Sequence, residues 1–121
     1  VTGENLLRLL ECRLDNVVHR LGFAASRRES RQMVAHGHFQ VNGRKVSVPS
    51  YLVKVGDAVQ LRPTSKLQVR IDDNLNAGRG QVPQWLEVDP NAKRGVVRSL
   101  PLREDIQIPV AEQLIVELYS K

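Results

Sequence analysis

The stretch SRRESR, from Ser26 to Arg31, concentrates arginine at the predicted start of a helix. Ser26 has the residue type of an N-cap, and Glu29 follows three positions later, as in a capping box. The positive end of the helix dipole disfavours cations there. The same end offers backbone N–H groups to a phosphate, and arginine adds planar pairs of donors. The pattern therefore predicts a phosphate site, whereas the alternative is a solvated charged helix face.

Charge along the chain is uneven and supports a polyanionic partner. The net charge is +5 and the pI is about 9.9. Residues 1–62 carry ten Lys and Arg against five Asp and Glu, whereas residues 63–121 carry eight of each. One electropositive half favours nucleic acid over a general solubility role. Because aromatic residues make up only 4% of the chain, base stacking is disfavoured, and recognition of a folded RNA by backbone and shape fits better.

The remaining reactive residue types do not form an enzyme or metal motif. His36 and His38 flank Gly37, but the single cysteine, Cys12, leaves no Cys-x-x-Cys pair for zinc. We therefore expect no metal and no cofactor, and the histidines either extend the basic face or are simple surface residues. No nucleophile motif, phosphate loop or dinucleotide fingerprint occurs. One cysteine also excludes an internal disulfide and fits a reducing compartment.

The elements that would position the basic residues can be predicted from periodicity. Apolar residues between 4 and 21 have helical spacing, with a break near Cys12 and an end at Gly22. A second helical unit runs from Arg27 to about Ala35 and ends at Gly37. Asn42-Gly43 predicts a hairpin turn between two alternating apolar pairs, Phe39 with Val41 and Val46 with Val48. A turn at Gly56-Asp57 then precedes a strand over 58–61.

The second half is predicted to add one helix and further strands. Leu67, Ile71 and Leu75 stand four apart, which indicates a helix ended by AGRG. The segment PQWLEVDP predicts a strand with Trp85 as a packing anchor, and GVVRSL and the terminal LIVELY predict two more. No apolar run approaches the ~18 residues of a membrane span.

The residues themselves resemble a known family. The stretch from RLDNVV through QMVAHGH, VNGRKV, PSY and VGD closely resembles the alpha-L RNA-binding domain of bacterial ribosomal small-subunit protein four. The opening TGENLLRLLE, WLEVD and the ending LIVELYSK are similar to the same family. The resemblance is weakest over 63–81. It implies an α+β fold in which two short helices lie on a small twisted antiparallel sheet, followed by a C-terminal helix and strand extension.

The resemblance also implies an organisation and a function. We expect a helical remnant at 1–12 of a longer N-terminal region, an alpha-L domain at 13–75 and a strand-rich extension at 76–121 that packs back on the helices. The implied role is non-enzymatic: a primary binder of small-subunit ribosomal RNA that nucleates assembly of the subunit body and contributes to translational accuracy. Implied partners are ribosomal protein five, other small-subunit proteins and the protein's own messenger RNA. A cytoplasmic ribosome is expected, although the sequence does not distinguish it from an organellar one.

Carried over position by position, the resemblance and the charge pattern together predict an RNA-binding face. Its residues lie on the two helices and at the hairpin: Arg13, Arg20, Ser26, Arg27, Arg28, Arg31, His36, His38, Arg44 and Lys45.

Two other functions remain open. One is an RNA-modifying enzyme, such as a pseudouridine synthase, that uses an alpha-L module to hold substrate; the 59 residues after Arg62 are few for its catalytic domain. The other is a stress-related RNA-binding module without a ribosomal role.

Overall fold

The computed structural model describes residues 2–77 and 82–101, which form four helices and one five-stranded antiparallel sheet. This is the α+β architecture that the sequence predicts. The predicted terminal strand in LIVELY lies outside the described residues. The helices are α1 (Thr2–Glu11), α2 (Leu14–Arg20), α3 (Arg27–Ala35) and α4 (Gln68–Asn76); the strands are β1 (Phe39–Val41), β2 (Arg44–Lys45), β3 (Ala58–Leu61), β4 (Leu86–Asp89) and β5 (Arg94–Val97).

The predicted break between the first two helices is confirmed at residues 12–13. The backbone there leaves the helical hydrogen-bond pattern to pair with the segment at 49–53: Val53 N–H donates to the Cys12 carbonyl at 2.9 Å, and Leu14 N–H donates to the Tyr51 carbonyl at 2.7 Å. The end of α2 at Gly22 is also confirmed, with a left-handed φ of +87° that a side chain would resist. The break is therefore held by a distant loop.

The predicted hairpin is confirmed, but its second strand is shorter than the alternation predicts. Asn42 and Gly43 have φ of 52° and 83°, as a type I′ turn requires. Val46 packs against the core, whereas Val48 is 54% exposed and lies beyond the end of β2. The chain turns away because the Pro49 carbonyl accepts the N–H of Asp15 at the start of α2.

The sheet has the order β2-β1-β3-β5-β4 and buries one face against the helices. Phe23 and Phe39 stack with ring centroids 5.9 Å apart, and Trp85 is 1% exposed, which confirms it as a packing anchor. β5 pairs with β3, so the strands beyond residue 76 continue the sheet of the predicted alpha-L unit. None of the four described helices is both long and apolar enough to cross a membrane.

A change at Gly95 tests the packing of β5 against α2. A Cβ there would lie 2.4 Å from both methyl carbons of Leu21, a side chain that is only 1% exposed. We expect Gly95→Ala to lower the free energy of unfolding by about 1–3 kcal/mol through overpacking. Denaturant unfolding measures the change, with Val96→Thr on the opposite face as a control expected to stay within about 0.5 kcal/mol. An unchanged stability for Gly95→Ala would show that Leu21 repacks freely.

Candidate nucleic-acid interface

The start of α3 keeps two backbone donors open. Ser26 is its N-cap, and the Ser26 Oγ accepts the N–H of Glu29 at 3.1 Å, as predicted. The reciprocal bond of a capping box goes one residue further back, because Glu29 Oε1 accepts the N–H of Ala25 at 2.7 Å. Among the described residues, no acceptor binds the N–H groups of Arg27 and Arg28. These two donors suit an anion.

The Glu29 carboxylate joins three elements. Its Oε2 accepts from Nη2 and Nε of Arg70 on α4, at 2.5 and 3.0 Å. Its Oε1 also accepts from Nδ2 of Asn74 at 3.1 Å, and the same amide donates to the Phe23 carbonyl at 2.8 Å. Burial acts to raise the pKa of Glu29, but the hydrogen bonds from Ala25, Arg70 and Asn74 outweigh it, and the pKa lies below its ordinary value.

The three arginines of α3 differ in their surroundings. Arg28 and Arg31 are exposed and have no hydrogen-bond or ion-pair partner among the described residues. Arg27 instead reaches back to α2, where its Nη1 donates to Oδ1 of the buried Asn16. Desolvation, and then repulsion from Arg20, lower the pKa of Arg27 in spite of nearby carboxylates. Arg28 and Arg31 are thus available to a ligand, and Arg27 is anchored.

Two predicted site residues, Arg13 just before α2 and Arg20 at its end, are engaged in ion pairs within the protein. Arg20 Nε donates to Oε1 of Glu11 at 2.9 Å; the two side chains are 13% and 0% exposed. Arg13 makes a two-point contact with Asp15 through Nε and Nη2, each at 3.1 Å. The neighbouring His19 has a lowered pKa, first through burial and then through Arg27 and Arg20, so that it is neutral at pH 7. Structural roles therefore compete with RNA contact at Arg13 and Arg20.

A second group of cations lies where α3 leads into β1, around Gly37. The side chain of Lys45 lies against Gly37, so that a Cβ on Gly37 would stand 2.5 Å from Lys45 Cε. Arg62 Nη1 donates to the Gly37 carbonyl at 3.3 Å. His38 Nδ1 is 2.8 Å from Ser65 Oγ, and burial followed by the charges of His36 and Arg62 lowers the pKa of His38. His38 is accordingly a neutral hydrogen-bonding group at pH 7.

The hairpin separates its two cations. β2 pairs Lys45 with Gln40 and Arg44 with Val41, so Arg44 shares the helix-side face with Val41 and Lys45 lies on the opposite face. His36 is exposed at the end of α3, about 12 Å along the helix axis from Arg28. The available predicted residues therefore fall into two groups: Arg28 and Arg31 on α3, and His36, His38 and Lys45 around Gly37. Arg62, which the prediction omitted, belongs to the Gly37 group. The sequence offered one indication of this, because Arg62 is the last residue of the basic half, residues 1–62.

Metal coordination has no support in the part of the chain that the structure describes. There, no three His, Cys, Asp or Glu side chains are grouped to hold a metal ion. Cys12 is buried, and burial, aided by Glu11, raises the pKa of its thiol. The thiol is therefore protonated and behaves as a small apolar group.

Comparison with known proteins confirms the resemblance predicted from the residues. Residues 12–59 match the S4 domain. The chain is 60% identical over 122 residues to the small ribosomal subunit protein uS4 of Pelobacter propionicus and 61% identical over 122 residues to that of Geotalea daltonii, in each case over 100% of this chain and 59% of the relative. It is 62% identical over 121 residues to uS4 of Anaeromyxobacter sp., over 99% of this chain and 58% of the relative. The chain thus spans about 59% of the length of the first two relatives.

Stability measurements on arginine variants test the division between anchored and available side chains. Arg20→Ala removes a partner of the buried Glu11 carboxylate, and we expect a loss of about 3–5 kcal/mol in the free energy of unfolding. Arg28→Ala is the control and should stay within about 0.5 kcal/mol. If Arg20→Ala folds as stably as the wild type, its ion pair is dispensable, and Arg20 returns to the set of available cations.

The Glu29 contacts predict a dependence of stability on pH. Because the folded pKa lies below the unfolded one, the stabilisation is complete above the unfolded pKa of about 4.3 and is lost as the pH falls through the folded pKa. Glu29→Gln should therefore be less stable than the wild type near pH 7, and the difference should shrink below about pH 4. Urea unfolding across this range measures it, with the exposed Glu87→Gln as a control; a gap that is constant with pH would contradict the assignment.

Proposed function

We propose that this chain is a structural, non-enzymatic protein of the small ribosomal subunit that binds folded ribosomal RNA. It carries an S4 domain and matches bacterial uS4 proteins at about 60% identity along its whole length. The observation that carries the proposal is the start of α3. Two exposed, unpartnered arginines, Arg28 and Arg31, lie beside two open backbone N–H groups in this described part of the chain. The oxygens of a phosphate can accept hydrogen bonds from the backbone N–H groups and from the guanidinium groups at once.

The mode of recognition follows from the aromatic residues. Phe23, Phe39 and Trp85 are buried, and among the described residues only Tyr51 is an exposed aromatic, at 36%. A platform for stacking several bases is therefore absent from this part of the chain. Contacts to phosphates and ribose across a folded RNA are the mode that these residues support.

Finer roles are part of the same proposal. We infer that residues 13–75 act as the RNA-binding unit, that binding nucleates assembly of the subunit body in the cytoplasm, and that contact with ribosomal protein five contributes to translational accuracy. The exposed apolar side chains of the segment at 48–55, Val48, Leu52 and Val55, support a protein contact. Binding to the protein's own messenger RNA would use the same α3 donors, because phosphate contacts carry little sequence information.

Salt-dependent RNA binding tests the proposal. The variant Arg28→Ala/Arg31→Ala should bind a small-subunit ribosomal RNA transcript more weakly, and the slope of log K against log salt should become less steep by about 0.9 for each lost phosphate contact in duplex regions. Filter binding at several salt concentrations measures both quantities. Unfolding curves should remain unchanged, because neither side chain has an internal partner among the described residues.

The matched control is Arg98→Ala, which removes an arginine that is 63% exposed and paired with Glu87. It should leave the affinity and the salt slope close to those of the wild type. If the double variant also binds with wild-type affinity and slope, α3 is not the phosphate-binding element and the proposal fails at its central observation. Backbone footprinting of the same transcript would then show no protection that depends on Arg28 and Arg31.

A further inference from the structure

The sheet has a second polar surface on the face that does not pack against the helices. Burial alternates along the central strands: Phe39, Val41, Val59 and Leu61 are buried, whereas the intervening Gln40 and Gln60 are only partly covered. On β5, Gly95 and Val97 are buried and Arg94 is exposed. We call the face formed by the less buried positions the open face.

Strand register aligns four polar side chains in one row across the open face. Lys45 pairs with Gln40, Gln40 with Gln60, and Gln60 with Arg94. Paired residues on neighbouring antiparallel strands project from the same face. Three strand spacings of about 4.8 Å make this row, the amide row, about 14 Å long. Two neutral amides thus lie between two cations.

Arg62 extends the charge of the amide row. Its backbone N–H donates to the His38 carbonyl at 2.8 Å, so Arg62 and His38 lie next to each other at the ends of β3 and β1. The His38 side chain turns to Ser65, and Nη1 of Arg62 donates to the Gly37 carbonyl at 3.3 Å. Lys45 and Arg62 thus both approach Gly37, at the β2–β1 end of the amide row.

The glutamine amides retain hydrogen-bonding capacity. Gln40 Nε2 lies 3.5 Å from Gln60 Oε1, and Gln60 Nε2 lies 3.4 Å from the Ala92 carbonyl. Both distances are long for hydrogen bonds. Each amide has one acceptor oxygen and two N–H donors, so a ligand group that both donates and accepts can engage them better than they engage each other. The ribose 2′-hydroxyl is such a group.

Carboxylates end the cationic surface at β4. Asp89 is the register partner of Arg94, but its Oδ1 already accepts the N–H groups of Asn91 and Ala92 at 3.1 and 3.3 Å. Glu87 is paired with Arg98 at 3.3 Å. From β2 to β5 the open face is cationic and lacks an exposed aromatic residue among the described residues. This charge complements a sugar–phosphate backbone.

We propose that the open face binds a second segment of RNA backbone, with the amides of Gln40 and Gln60 on ribose hydroxyls and Lys45, Arg62 and Arg94 on phosphates. The inference rests on the proposed function, since it assumes that the chain binds RNA. α3 packs its Met33 and Val34 into the core on the other side of the sheet. The α3 donors and the amide row therefore face two separate RNA segments, and the protein holds them on either side of the sheet.

Backbone footprinting with the full chain tests the inference. Hydroxyl radicals report ribose exposure on a small-subunit ribosomal RNA transcript bound by the wild type, by Gln40→Ala/Gln60→Ala and by Arg94→Ala. Both variants should lose protection in one shared segment and keep the protection that depends on Arg28 and Arg31. Affinity should fall roughly tenfold for the double glutamine variant, as expected for two modest hydrogen bonds. Gln84→Ala, an exposed glutamine before β4, is the matched control and should change nothing.

Replacement of ribose by deoxyribose in the protected segment identifies the hydroxyl contact. The substitution should weaken binding of the wild type but have no further effect on Gln40→Ala/Gln60→Ala. Gln40→Glu/Gln60→Glu, which keeps the side-chain shape and adds negative charge, should bind more weakly still. If the glutamine and Arg94 variants keep wild-type affinity and footprint while Arg28→Ala/Arg31→Ala binds weakly, the inference is wrong and the proposed function stands. If the α3 variant also binds normally, the proposed function itself fails.

Discussion

The carboxylate of Glu29 is the interaction on which the arrangement of the α3 surface depends. One side chain accepts the N–H of Ala25 before the helix, the amide of Asn74 and the guanidinium of Arg70. It thereby fixes the entry to α3 and the position of α4 with the same two oxygens. Because charge-assisted hydrogen bonds are stronger than neutral ones, this contact sets the geometry within which the other side chains are placed. The residue that completes the cap is also the residue that joins the two halves of the described chain.

This carboxylate also explains how a helix start tolerates three arginines. Glu29 places a negative charge in the first turn, where the helix dipole favours it. Arg27 directs its guanidinium to Asn16, whose own amide donates to the Glu11 carbonyl at 2.6 Å. Of the three arginines, Arg28 and Arg31 are exposed and have no internal partner among the described residues, and only Arg28 stands in the first turn, where repulsion from the dipole costs a few tenths of a kcal/mol. The energetic conflict is therefore small, and it falls on a side chain that a phosphate can use.

Local patterns in the sequence predicted the elements well because each has a short-range cause. The N-cap at Ser26, the turn at Asn42-Gly43 and the helix over 68–76 depend on neighbours within a few residues. The orientation of the arginines could not be predicted in the same way. Arg20 is held by Glu11 across a helix break whose geometry is set by the distant segment at 49–53. The separation of Arg44 from Lys45 follows from strand register, and Arg62 joined the site only through the pairing of β3 with β1. Such tertiary partners leave no local signal.

A domain of this size has one helix layer and one sheet layer, so one face of the sheet has no partner within the described chain. That face must be compatible with water and, if the chain binds RNA as proposed, with a polyanion. Apolar residues there would risk association, and a full row of cations would repel one another across strands about 4.8 Å apart. Neutral amides between Lys45 and Arg94 avoid both costs and still provide donors and acceptors. The composition of the open face therefore suits contact with water, and it also provides the donors and acceptors that the proposed RNA contact requires, without changing the core behind it.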